Sequence, residues 1–195
     1  MEMITAYFGL WAFIIVMVGT PGPANMLAMS AGAAYGLRAN ILFMAGLVIG
    51  KLGINILIAF GLGAVIIAVP LAAKIFAFAS AGYLCYLALR GWNIGTQGAA
   101  PVKALGFTSG VIVHPLNPKA WLMASLAYSQ FIVGFEWVFE RYALAPLSFL
   151  AAQLIFHALW CWLGAVLKSQ FGTSPVLNRS LIFVTIGVVI WALWQ

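Results

Sequence analysis

Apolar residues fill the chain in six long runs, roughly 7–33, 41–69, 75–89, 105–135, 142–167 and 180–194. The interruptions between them are rich in Gly, Pro or charge: YGLRAN, VPLAAK, RGWNIGTQGAAPVK, EWVFER and KSQFGTSPVLNR. A helix needs about 20 apolar residues to cross the hydrocarbon core of a bilayer. The pattern therefore predicts six transmembrane helices joined by short loops. The third run is short, but Lys74 and Arg90 at its ends can snorkel to the interfaces. The expected fold class is all-α and integral to the membrane, with residues 1–195 as one polytopic domain.

The runs also repeat. Residues 69–89, VPLAAKIFAFASAGYLCYLAL, lie without gaps on residues 174–194, SPVLNRSLIFVTIGVVIWALW. Pro70 then meets Pro175, Lys74 meets Arg179, Phe78 meets Phe183, Ser80 meets Thr185 and Gly82 meets Gly187. Upstream, Pro23, Leu27 and Ser30 match Pro118, Leu122 and Ser125 at a smaller offset. Two halves, about 1–98 and 99–195, would each hold three spans. An odd number of spans per half inverts the second half relative to the first, an architecture common among secondary transporters.

Two of the runs are broken from within. The first contains TPGPANM and the fourth HPLNPKAW. Each break lies some ten to fifteen residues into its run, which at 1.5 Å per residue is near the bilayer midplane. One proline would be an ordinary kink, repaired by neighbouring side chains. Paired prolines in two related spans, Pro21 and Pro23 with Gly22, then Pro115 and Pro118, point instead to half-helices restarting near Ala24 and Lys119. Such starts carry free N–H groups and the positive end of a helix dipole. Opposed across an inverted repeat, they make a site suited to a carboxylate. Lys119 adds a full charge, and Asn25, His114 and Asn117 flank the breaks.

Composition agrees with a membrane protein. The chain is 65% hydrophobic and 6% charged, and its mean hydropathy of +1.11 lies outside the soluble range. The net charge of +6 comes from only nine Lys and Arg, scattered singly, so no basic groove for nucleic acid is expected. Cys85 and Cys161 lack CxxC spacing and read as inert thiols, not as metal ligands or a redox relay. No cofactor is expected. The start MEMITAYFGLW has Glu2 and no basic region, so it is read as a retained span and not a signal peptide. Loops one, three and five hold Arg38, Arg90, Lys103, Lys168 and Arg179, against Lys74 and Arg141 in loops two and four. The excess places the odd loops in the cytoplasm and both termini outside.

Polar side chains within spans are the remaining candidates. Lys51 lies about ten residues into the second span, too deep to snorkel, and no acid lies in any span to pair with it. It could bind an anionic substrate group or titrate as a coupling site, with Asn55 one turn later sharing its position. His157, with Gln153 one turn earlier, could carry a coupled proton or simply bond between helices; His114 beside the second break has better placement for the proton. Gly46, Gly50 and Gly53 suit close helix packing, with a broken helix as a candidate partner. The tyrosines Tyr83, Tyr86 and Tyr128 and the tryptophans read as lipid-facing or interfacial.

TPGPANMLAMSAGAAYGLRAN, AGLVIGK, AGYLCYLALRGW and especially HPLNPKAWLM resemble the LysE/RhtB family of bacterial amino-acid exporters, over essentially the whole chain. The resemblance implies a multi-pass protein of the bacterial inner membrane that exports an amino acid or close derivative. It also implies drive by the proton gradient and assembly as a homo-oligomer. Some relatives carry an acid early in the second span, and this chain has none there. Without a carboxylate in any span, a neutral substrate is expected over a dibasic one. The site would comprise Pro21, Gly22, Pro23, Asn25, Lys51, Asn55, His114, Asn117, Pro118 and Lys119, with Lys51, His114 and His157 as proton-coupling candidates. In this reading Asn25 and Asn117 supply oxygens for the substrate ammonium. The alternatives are export of an inorganic cation or another small metabolite, a membrane-embedded enzyme, and a non-transporting assembly subunit. Two buried lysines make a poor cation path, and no spacing ties Ser30, Ser125 and His157 into a catalytic set.

Overall fold

The structure is a computed structural model that describes residues 2–61, 70–98, 102–132 and 137–194, all of them helix, turn or irregular chain without a strand. The first apolar run forms α1 (Glu2–Gly19) and α2 (Pro23–Tyr35), and the second forms α3 (Ile41–Ala59). Then come α4 (Pro70–Leu89), α5 (Phe107–Val113), α6 (Pro118–Ala127), α7 (Ala145–Phe171) and α8 (Pro175–Trp191). Single π-helical turns at Tyr128–Ile132 and Glu140–Leu144 extend α6 and lead into α7.

Proline sets several starts. It occupies the first turn of α2, α6 and α8, where a missing N–H costs nothing. The half-helices therefore begin at Pro23 and Pro118, one residue before the positions expected. Glycine sets two ends: α2 stops at Gly36 (φ +83°), and the turn after α3 holds Gly61 (φ +82°). The helix of the second run thus ends at Ala59, well short of the expected end of that run; residues 62–69 lie outside those described.

Two described helices, Arg38–Ala59 and Tyr142–Phe171, are long and apolar enough to cross a membrane. The pair α1 and α2, bent by 50°, makes a third if it is one span. Helical stretches at Lys74–Leu89 and Pro175–Trp191 are apolar but shorter, and the second break divides the fourth run into the short α5 and α6. The break that marks the fourth run as interesting is thus what keeps it from reading as one continuous span.

Two helix pairs close to backbone contact. Between α2 and α7, a Cβ on Gly32 would lie 2.0 Å from the Cys161 carbonyl oxygen, and one on Gly164 would lie 1.9 Å from that of Met29. Between α3 and α5, a Cβ on Gly46 would lie 2.2 Å from the Phe107 oxygen, and one on Gly110 2.2 Å from the Phe43 oxygen. Lipid gives helices no hydrophobic reason to associate, so van der Waals packing of this closeness holds them. Gly50 joins the second interface, whereas Gly53 faces open space. Helix α2 also packs on α4 and α8, with Ser30 Oγ 3.0 Å from Thr185 Oγ1 on α8. Large apolar side chains such as Phe8, Phe78, Leu154 and Val176 point outward, as lipid contact requires.

Candidate functional site

Beyond Met17, whose O accepts from Thr20 Oγ1 at 3.3 Å, the first break leaves three backbone carbonyls, those of Val18, Gly19 and Thr20, without helical partners. Each unpaired group would cost several kcal/mol in hydrocarbon. All three are taken by side chains. Asn25 Nδ2 donates to Val18 O (2.7 Å) and Thr20 O (2.9 Å), and Trp160 Nε1 donates to Gly19 O (3.1 Å). At the second break Trp121 Nε1 donates to Pro115 O (2.8 Å). These two tryptophans were expected at the interface or lipid; they serve the breaks instead. Tyr128 also differs from expectation, because its hydroxyl is buried and it packs on the interior.

The donor ends differ. The N-cap of α2 is Gly22, which has no side chain to occupy the first N–H groups. The N-cap of α6 is Asn117, whose Oδ1 accepts from Lys119 N at 3.1 Å. The open donor set is thus that of α2, while α6 is capped by its own chain. Lys119 lies against Gly22: a Cβ there would be in ordinary contact with its Nζ at 3.4 Å. That Nζ donates to Thr20 Oγ1 at 3.1 Å, so Lys119 reaches from the second break to the first.

Between the breaks lies a cavity of about 20 Å³ as open to a water centre, room for about one water or one ammonium group. Gly22 and Asn25 line it from the first break, His114, Asn117 and Lys119 from the second, and Gln153 and His157 from α7. Met17, Thr20 and Met123 also line it. The histidines join across it: His114 Nε2 is 3.2 Å from His157 Nε2, and His157 Nδ1 is 3.0 Å from Asn25 Oδ1. His114 Nδ1 and both amide atoms of Gln153 are buried without a partner. Among the described residues, no carboxylate lines this cavity.

The other expected site residues lie apart from it. Lys51 is fully buried, with Nζ donating to Ala120 O (2.7 Å) and lying 4.4 Å from the centre of the Phe149 ring. It touches the first turn of α6 from behind. Asn55 is buried with both amide atoms unpartnered. Pro21 is exposed. Pro23 and Pro118 line a second, smaller space, together with Asn117 and residues of α4 and α8. Sequence reasoning named Gln153 only as a neighbour of His157 and missed Thr20. The hydroxyl beside the TPGP break was the available signal for Thr20.

Among known proteins, the cysteine/O-acetylserine efflux protein of Salmonella paratyphi A is 35% identical over 96 residues, 48% of this chain and 46% of that one. The protein of the same name from Escherichia coli (strain K12) is 31% identical over 87 residues, 45% of this chain and 43% of that one. The match thus spans about half the length of these relatives. No solved structure matches. The family model for LysE type translocators matches residues 14–193, nearly the full sequence, and the chain belongs to that family.

Proposed function

We propose that this protein is a secondary exporter of a small neutral amino acid or derivative, proton-coupled, built as six spans in two inverted halves with both termini outside. The observation that carries the reading is the convergence of both helix breaks on one cavity, bridged by Lys119. The packing of the halves supports the inverted repeat. The first broken span rests on α7 of the second half, and the fourth rests on α3 of the first half.

A substrate carboxylate lies against the uncapped start of α2 and the Lys119 ammonium. Both are positive, and the lysine lies against Gly22 at that start. The side chain lies toward Met17 and Met123, whose soft thioethers suit a small or sulfur-bearing group. With no carboxylate among the described residues of the wall, a second cationic group on the substrate has no counter-ion there. The relatives are named for efflux of cysteine and O-acetylserine, neither of which has a charged side chain. The cavity holds a head group and not a whole amino acid, so loading requires the helices around the breaks to separate.

The test is transport by the purified full chain in vesicles loaded with alanine, serine, cysteine, O-acetylserine, lysine and arginine. The expected result is proton-gradient-driven flux of the neutral members, abolished by Lys119→Ala with membrane insertion intact. Flux of lysine and arginine alone would overturn the neutral substrate. Wild-type flux in Lys119→Ala would remove that lysine from the site.

A further inference from the structure

The hydrogen bonds around the cavity fix where protons sit. Asn25 points one end of its amide at two carbonyl oxygens, Val18 O and Thr20 O. Only the NH2 end can donate to both, so the oxygen faces His157 Nδ1. An amide oxygen only accepts; His157 Nδ1 therefore carries a hydrogen. In the neutral ring its Nε2 is then a bare acceptor, and the facing His114 Nε2 must be the donor. One ring position is left over. His114 Nδ1 is a bare lone pair, buried and without a partner.

A proton added to this pair has one place to go. His157 Nδ1 is already occupied, and the two Nε2 atoms at 3.2 Å have room for a single hydrogen between them. Whichever ring holds the charge, the added hydrogen is on His114 Nδ1, which changes from acceptor to donor. The titratable groups on the elements around it are His157 on α7, Lys51 on α3 and Lys119 on α6. From the first break, the polar side chains among the described residues of the wall are Thr20 and Asn25, which do not titrate.

We infer that His114 Nδ1, with the unpartnered Gln153 amide in the same cavity wall, becomes the ammonium site of the substrate when the helices around the breaks separate, and that one proton and one ammonium compete for that lone pair. This rests on the exporter reading above and gives it a coupling mechanism. An ammonium group only donates, so it binds the neutral pair and is refused by the protonated one. The ammonium keeps its three hydrogens throughout. The hydrogen leaving His114 Nδ1 passes to water as the substrate arrives, and returns when the substrate departs. Exclusive occupancy of one site by either species is the requirement for exchanging one against the other. The two asparagine oxygens first considered for the ammonium are both engaged, one by His157 and one by Lys119 N.

The experiment uses the purified full-length protein with O-acetyl-L-serine as probe between pH 3.5 and 8. Binding is followed calorimetrically, and proton release with an indicator dye in weak buffer. Below the pH at which the histidine pair protonates, the wild-type Kd should rise about tenfold per pH unit, with up to one proton released per probe bound. The desamino analogue 3-acetoxypropionate keeps the carboxylate and lacks the ammonium, so its binding should not weaken on acidification. His114→Gln should release no proton and lose the pH dependence. Gln153→Leu should weaken the probe while keeping proton release, which guards against a misfolded first variant. Probe binding without proton release, or equal acid sensitivity of the desamino analogue, overturns this inference alone. Failure of the alanine, serine, cysteine and O-acetylserine set to bind at any pH overturns the exporter reading and this inference with it.

Discussion

Replacing Gly164 by Ala adds one methyl group to the face of α7 that meets α2. Its Cβ would stand 1.9 Å from Met29 O, 2.8 Å from Ala33 N and 2.9 Å from Met29 C. Real Cβ atoms do not approach other heavy atoms closer than 3.0 Å, and the neighbours here are backbone in an unbroken helix. No rotamer change relieves the clash. The two helices must separate by about 1 Å, losing dispersion contact along the whole interface. Overpacking of this kind costs about 1–3 kcal/mol, and rigid backbone on both sides places this case at the upper end. For a chain of this size that corresponds to a melting midpoint lower by roughly 5–10 °C. The separation also reaches the cavity, because Asn25 lies two turns from Gly32 on α2 and His157 two turns from Gly164 on α7. The 3.0 Å bond between them should lengthen or break. Thermal unfolding of the detergent-solubilised protein, read by fluorescence-detected size exclusion, measures the first effect. Gly53→Ala and Gly187→Ala are the controls, since each Cβ would meet nothing within 4 Å. They should be neutral or gain about 0.5–1 kcal/mol from reduced chain entropy. A Gly164→Ala protein that melts with its controls would refute the argument from close approach.

Asn25→Ala leaves Val18 O, Thr20 O and His157 Nδ1 without their partner. At about 1–3 kcal/mol for each buried group it should destabilise by at least 3 kcal/mol, visible in the same melting assay. Lys51→Met keeps the volume and removes a buried amine that touches α6 but not the cavity. Its stability should stay within about 1 kcal/mol of wild type, and in flux assays the maximal rate should change more than KM. Thr185→Val removes a hydroxyl bonded to Leu181 O at 2.7 Å and to Ser30 Oγ at 3.0 Å. A loss of about 1–2 kcal/mol is expected, and Ser30→Ala in the same background should restore part of it. Lys168 Nζ donates to Ala34 O (3.0 Å) at the C-terminal end of α2. Lys168→Met should therefore cost about 0.5–1 kcal/mol, and less at high salt.

The sequence showed the breaks because proline and glycine act through the backbone of their own segment, and their effect needs no knowledge of distant residues. The same holds for the starts of α2, α6 and α8. It could not show what satisfies the breaks. His157 is 132 residues from Asn25, and Trp160 is 141 residues from the carbonyl it caps. A tryptophan in an apolar run looks the same whether it meets lipid or a carbonyl. Asn117 was legible as a polar residue at a helix start. That it closes its own helix, while Gly22 leaves its counterpart open, depends on side-chain geometry that spacing does not carry. Lys51 was legible as buried, and only the packing of α3 against α6 shows it turned to the back of the site.

The paired glycine contacts have a consequence for motion. Backbone locked on backbone cannot slide without first lifting apart, so α2 with α7, and α3 with α5, behave as two stiff staves. The seam between them runs through the cavity, with His157 carried by one stave and His114 by the end of the other. The bond between the two rings is then a latch across the seam, and whatever loads or empties one lone pair also decides how firmly the staves are fastened. A disulfide engineered within one stave should leave transport running, whereas one engineered across the seam should stop it; transport surviving the second would show that the parting line lies elsewhere.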